Sequence, residues 1–191
     1  MTYDLLIKNG TVVDGSGNPS YRADVAVSGG KIAAISRINE RAKQTIDAEG
    51  HVVSPGFVDG HTHMDAQIFW DPIGSCSCYH GVTSVVMGNC GFTLAPCKQE
   101  DADMVFRNLE RAEDLSRDAM LEGIDWRWET FPEFLDVVDE LPKGINYAGY
   151  IGHSALRTYV MGERAFADVA SEDDVRQMQQ LVKQAMHAGA I

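Results

Sequence analysis

The chain opens on short runs in which apolar and polar positions alternate. Tyr3–Lys8 and Thr11–Val13 flank Asn9-Gly10, a turn signal. Asp14-Gly15-Ser16-Gly17-Asn18-Pro19 has the composition of a loop. Val25 and Val27 share one face of the run Asp24–Ser28, and Gly29-Gly30 turns the chain into Lys31–Ser36. A last run, Thr45–Val53, ends at Ser54-Pro55-Gly56. None of it has a helical period. Residues 1–55 therefore read as a small β-rich unit with hairpin connections.

The pattern then changes. Phe57–His63, Val82–Met87 and Ile145–Ile151 are apolar runs that turn polar at their ends: at His61-Thr62-His63, at Gly88-Asn89-Cys90 and at Gly152-His153-Ser154. Helical periods lie between and after them. One covers about Asp101–Met120 with ill-defined ends. Thr130-Phe131-Pro132-Glu133 is a capping box with proline in the first turn, opening a helix to about Leu141. Ser171 caps another, with acids at 172–174 and Val175, Met178, Leu181, Val182, Ala185 and Met186 on one stripe. Gly189 is its stop. Strands alternating with helices over 56–191 predict βα units around a parallel sheet, hence the α/β class. Ligands gather at the carboxyl ends of such strands. Two of the three runs bring a histidine there.

Composition narrows the partners. With 16 basic against 28 acidic residues the formal charge is −12, which argues against nucleic acid or an anionic membrane. Met1-Thr2-Tyr3-Asp4 lacks the basic start of a signal peptide, and no run approaches the roughly 18 apolar residues of a membrane span. A cytoplasmic protein is expected. The cysteines at 76, 78, 90 and 97 miss the paired C-x2-C spacing of a zinc ribbon, so reduced thiols are expected.

Three strand ends carry candidate chemistry. On a strand, residues i and i+2 face the same side, so His61 and His63 can reach one ion while Thr62 faces away. Cys90 sits at the matching end of the next strand between glycines. It reads either as a zinc thiolate or as a buried inert thiol. His153 can bind substrate, the metal, or only a backbone carbonyl. His51, His80 and His187 read as structural, and Trp70, Trp126 and Trp128 as packing. Asp59, Asp65 and Asp71 are candidates for orienting a metal-bound imidazole.

Taken together, "DLLIKNGTVVDG" (4–15), "VSPGFVDGHTHMD" (53–65), "HGVTSVVMGNCGFTLAP" (80–96) and "GHSALRTYVMGERA" (152–165) resemble the amidohydrolase superfamily, specifically its D-aminoacylase (N-acyl-D-amino-acid deacylase) group. The resemblance covers essentially the whole chain. It implies a (β/α)8 barrel, of which 56–191 holds about the first three βα units, preceded at 1–55 by the N-terminal part of a small β-sandwich. It implies one or two zinc ions, with His61, His63 and Cys90 among the ligands. Cysteine takes the place where most of the superfamily has a carboxylated lysine or a glutamate. The implied reaction is hydrolysis of an N-acyl-D-amino acid, zinc polarising the amide carbonyl and lowering the pKa of a water to about 7.

A complete barrel takes about 250 residues, more than the 191 of this chain. Two later histidine ligands and a general-base aspartate are expected beyond Ile191, so the chain reads as a fragment without turnover of its own. Two other readings compete. A cyclic-amide hydrolase such as a hydantoinase would share H-x-H but use a bridging lysine, which the setting of Cys90 argues against. A non-catalytic remnant would bind only a metal or a partner.

Overall fold

The computed structural model describes residues 2–191. It divides into two compact units, Met1–Gly56 and Phe57–Ile191.

The first unit is one five-stranded sheet. Its strands are β1 (Tyr3–Val12), β2 (Tyr21–Ser28), β3 (Lys31–Ser36), β4 (Ala42–Asp47) and β5 (Val52–Val53). The order is β3-β2-β1-β4, with β5 also on β1. β1–β2 and β2–β3 pair antiparallel, whereas β4 and β5 run parallel to β1. Gly29 and Gly30, at φ 59° and 74°, make the expected turn.

Two expectations fail here. Asn9-Gly10 is not a hairpin turn but a bulge inside β1, where the register slips between Ile7 and Gly10. The left-handed tendency of Asn9 is used at φ 62°. Its N–H donates to Asp24 Oδ1 at 2.8 Å and its amide to Asp47 Oδ1 at 2.9 Å. The run Thr45–Val53 is two strands, β4 and β5, because Gly50 (φ 78°) turns the chain between them. Leu6, Ala26 and Ile38 form a small core. Ile7, Val25, Val27, Ile32 and Ile35 line an apolar cleft on the sheet, and Ile32 is 65% exposed.

The second unit is built on β6 (Phe57–Asp59), β7 (Val82–Met87) and β8 (Asn146–Gly149), parallel and in that order. Between β6 and β7 lies the short α1 (Ser75–Cys78). Between β7 and β8 lie α2 (Ala102–Glu113), α3 (Arg117–Gly123) and α4 (Phe131–Glu140). α5 (His153–Met161) and α6 (Glu172–Ala188) follow β8. The expected single helix over 101–120 is broken, because Asp114 turns left-handed at φ 53°. Among the described residues no helix is long and apolar enough to cross a membrane.

The core of this unit joins Ile68, Val85 and Met87 to an aromatic stack. Trp128 stacks on Phe69 and Trp126, with centroids 5.1 and 4.5 Å away, and donates its indole N–H to Leu94 O at 2.8 Å. The stack anchors the long β7–β8 connection. Trp126 and Trp128 are thus packing residues, whereas Trp70 is 43% exposed.

The capping box on α4 forms: Thr130 Oγ1 accepts from Glu133 N at 3.4 Å, and Glu133 Oε2 accepts from Thr130 N at 2.8 Å. α6 has the analogous box between Ser171 and Asp174 and ends at Gly189, φ 115°. Its apolar stripe is less covered than expected. Ala185 is buried, but Val175 and Met186 are exposed. After α6 the chain returns to β8, where Ile191 N donates to Gly149 O at 3.1 Å.

Asp174 ties this return crossing together. It accepts from Ser171 N and pairs with Arg164 at 2.9 Å. The Arg164 guanidinium and the Ser171 donors hold its carboxyl well below the usual carboxylate range. A depressed acid stabilises the fold above its unfolded pKa, about 3.9, and loses that contribution as pH falls further. The Tm difference between the parent and Asp174→Asn is therefore expected at full size at pH 6–7. It should shrink steadily as thermal melts are taken below about pH 4.

Candidate metal centre

Because β6, β7 and β8 are parallel, their carboxyl ends share one edge of the sheet. β6 stops at Asp59, so His61-Thr62-His63 lies beyond the strand, and strand parity does not orient these residues. Hydrogen bonding does instead. Thr62 is 9% exposed, and both its N–H (3.0 Å) and its hydroxyl (2.8 Å) donate to Val86 O. Asn89 Nδ2 donates to Thr62 O at 3.2 Å and to Val86 O at 3.0 Å. Three residues after Thr62, Asp65 Oδ2 accepts from Gly88 N at 3.0 Å. The segment after β6 is thus tied to the end of β7 along its backbone.

The third strand end joins through close backbone approach. Gly88 is left-handed (φ 84°), and a Cβ there would lie 2.6 Å from Tyr150 O. A Cβ on Gly152 would lie 2.3 Å from Gly91 O. Only glycine fits either position. Between them Cys90 itself takes φ 56°, unusual for a residue with a side chain. This turn brings Cys90 Sγ to 3.5 Å from His61 Nε2.

One donor atom each from His61, His63 and Cys90 lies within 4.8 Å of the other two. Two ligands on a tetrahedral zinc, with bonds of 2.0–2.3 Å, stand about 3.5 Å apart. The Cys90–His61 spacing matches that distance. His63 Nδ1 is buried with no hydrogen-bond partner among the described residues. A soft sulfur, two imidazoles and one unpartnered ring nitrogen suit a zinc ion. His61 and Cys90 are exposed, so the group is open to solvent on one side.

His153 is outside this group. It is the exposed first residue of α5, on the same edge of the sheet. None of the three aspartates considered as imidazole-orienting groups touches a ring. Asp59 Oδ1 accepts from His61 N at 3.1 Å. Asp71 accepts from Ser75 N and Oγ, both at 2.9 Å, at the start of α1. Asp65 braces the Gly88 backbone, and burial pushes its carboxyl up to about 7 against that hydrogen bond.

The carboxylate beside an imidazole is Glu113, with Oε2 3.3 Å from His63 Nε2. Sequence reasoning passed it over inside a helix of uncertain end. One signal was present: an acid in the last turn of a helix opposes the macrodipole, so it calls for another partner.

The other histidines lie outside this group. His80 Nδ1 lies 2.7 Å from Cys76 O, and His51 Nδ1 3.0 Å from Glu49 O. His187 is in the last turn of α6. All four cysteines are free thiols. Burial pushes the Cys97 thiol up to about 12, which leaves it inert.

The fold and the donor group define a β/α unit with a metal-type constellation on the carboxyl edge of its sheet. The amidohydrolase family model matches residues 44–191, and the chain belongs to that family. It is 37% identical over 190 residues to a D-aminoacylase of Alcaligenes xylosoxydans xylosoxydans, covering 99% of this chain and 37% of that protein. A solved D-aminoacylase structure, described for its binuclear metal centre, superposes with TM-score 0.83 at 36% identity, over 99% of this chain and 37% of that one. The N-acyl-D-glutamate deacylase of Bordetella bronchiseptica, solved with zinc and a phosphonate inhibitor, gives TM-score 0.83 at 29% identity, over 100% and 38%. The mixed α/β fold is that of these structures. The chain spans less than two fifths of the length of each of these relatives.

Replacing Thr62 by the isosteric valine removes one bond to Val86 O and leaves that oxygen its other donors. Thr62→Val is expected to cost about 0.5–1.5 kcal/mol, read from denaturant unfolding. A cost near zero would show that the hydroxyl does not hold the segment in place.

Proposed function

We propose that this chain carries the first three βα units of a (β/α)8 barrel in a zinc-dependent deacylase of N-acyl-D-amino acids. The carrying observation is the convergence of His61, His63 and Cys90 donor atoms within 4.8 Å. Cysteine in that group favours a deacylase over a cyclic-amide hydrolase, which would use lysine. Relatives that match 98–99% of this chain include a D-aminoacylase and deacylases of N-acyl-D-aspartate and N-acyl-D-glutamate, whereas two allantoinases match over only 64 residues. The first unit, Met1–Gly56, is read as half of a β-sandwich, and its apolar cleft supports that reading.

In this reading His61, His63 and Cys90 hold one or two zinc ions. Zinc supplies a Lewis acid for the amide carbonyl and a source of hydroxide near neutral pH. The chain's own residues set the stage for it. Thr62 and Asn89 lock two strand ends together, so the donors are held before an ion arrives. The left-handed turn at Cys90 aims its sulfur at His61. His153, on the same edge, is assigned to a small-molecule N-acyl amino acid substrate. No residue of this chain is assigned as general base. The remaining thiols, Cys76, Cys78 and Cys97, suit a reducing, cytoplasmic setting.

The test is zinc affinity of the chain, measured by competition with a chromogenic chelator. Cys90→Ser and His61→Ala are each expected to weaken binding by more than the roughly 100-fold that changes outside the ligand set can cause. Expressed from the full reading frame containing these residues, the protein is expected to release D-amino acids from N-acyl-D-amino acids and to lose turnover in Cys90→Ser. Unchanged zinc affinity in Cys90→Ser would contradict the site. Intact zinc binding with no D-amino acid released would contradict the substrate class alone.

A further inference from the structure

Charge is spread unevenly along the chain. Residues 1–56 hold six basic and six acidic residues, so the whole excess of 12 negative charges lies beyond Gly56. Three of those six cations, Lys8, Arg22 and Arg37, line one cleft of about 200 Å³ within the first unit, where the single acid is Asp24. Strand register brings them together. The bulge in β1 sets Lys8 and Asn9 across from Asp24 on β2. On its other side Asp24 pairs with Ser36 of β3, the residue before Arg37. Arg22 lies two residues before Asp24 on β2 and shares its face. Asp24 itself is already satisfied. It is buried, Oδ1 accepts from Asn9 N at 2.8 Å, and Oδ2 accepts from Ile38 N at 2.9 Å. Burial alone would raise its carboxyl, but the two N–H donors and the nearby charges of Lys8 and Arg37 bring it below the ordinary value. The ion pairs of the first unit, among the described residues, are Arg22–Glu49 and Lys43–Asp4, and neither includes Lys8 or Arg37. Arg22 gives Glu49 only its Nη2.

We propose that this cleft binds a small phosphate dianion, free or as the monoester of a small molecule, among Lys8, Arg22 and Arg37. The site is separate from the metal group and does not depend on the zinc reading. Of the groups that line the cleft, Asp24 and a dianion together balance the three cations, whereas a single carboxylate charge would leave one unanswered. A guanidinium offers N–H groups in a fork that matches phosphate oxygens, and an ammonium adds a point charge. The volume holds one phosphate group with a few waters, each water taking about 30 Å³. The net charge of −12 opposes an extended polyanion, which keeps the ligand small.

¹H–¹⁵N spectra of the full 191-residue chain test it. Sodium phosphate and phenyl phosphate are titrated separately, with ionic strength held constant by sodium chloride. Saturable shifts are expected at the amides of Asn9, Ala23, Ile38 and Asn39, and the tighter of the two ligands names the source. Lys8→Gln and Arg37→Gln should each weaken binding roughly 2- to 5-fold, and the double variant should abolish saturation. Lys31→Gln, which removes the same charge at the start of β3, should bind as the parent does. If Lys8→Gln fails to fold, Arg37→Gln, at an exposed position, carries the comparison. Shifts confined to the amides around Thr62 and Cys90 would place the anion at the metal group and overturn the proposal. Shifts that never saturate would also overturn it, as would an equal loss of affinity in Lys31→Gln.

Discussion

Val86 O is the point on which the site turns. It lies near the end of β7 and accepts from Thr62 N, Thr62 Oγ1 and Asn89 Nδ2, at 2.8–3.0 Å. Thr62 stands between the two histidines, and Asn89 directly precedes Cys90. One carbonyl therefore sets the relation of both donor segments. Buried hydrogen bonds of this kind are costly to leave unmade. Their yield is positional: a side chain drawn inward at Thr62 leaves the flanking imidazoles to the open edge.

The second constraint is steric. Three chain segments meet beyond the strand ends, and they meet as backbone against backbone. Gly88 and Gly152 permit this, since a methyl group at either would fall within 2.6 Å of a carbonyl oxygen. Cys90, between them, accepts a left-handed conformation that an L-residue rarely takes. Strained backbone of this type persists where its surroundings over-determine it, and such places cluster at functional sites. The glycines around Cys90 thus serve geometry as well as flexibility. They allow a sulfur on one strand end to approach an imidazole beyond another.

Much of this was legible in the sequence where local signals are strong. The capping boxes at Thr130 and Ser171, the Gly29-Gly30 turn and the polar ends of the three apolar runs depend on residues close in sequence, and they appear where the pattern puts them. What failed depended on partners far away in the chain. Asn9-Gly10 reads as a hairpin turn, but Asp24 and Asp47 draw it into a bulge. His61 and His63 were aligned by strand parity. They lie beyond the strand, and hydrogen bonds to β7 hold their segment instead. Glu113 could not be selected because its partner is 50 residues upstream and the helix end that delivers it was blurred. The three nearer aspartates were plausible on spacing, yet each is engaged with backbone amides or hydroxyls.

The central claim is that sulfur and imidazole nitrogen share one ion. X-ray absorption at the zinc edge of the metal-loaded chain tests it directly, because sulfur and nitrogen scatter differently and at different distances. The account predicts one sulfur at about 2.3 Å together with nitrogen at about 2.0–2.1 Å. A first shell made only of nitrogen and oxygen would contradict it, since Cys90 would then stand outside the metal it is said to hold.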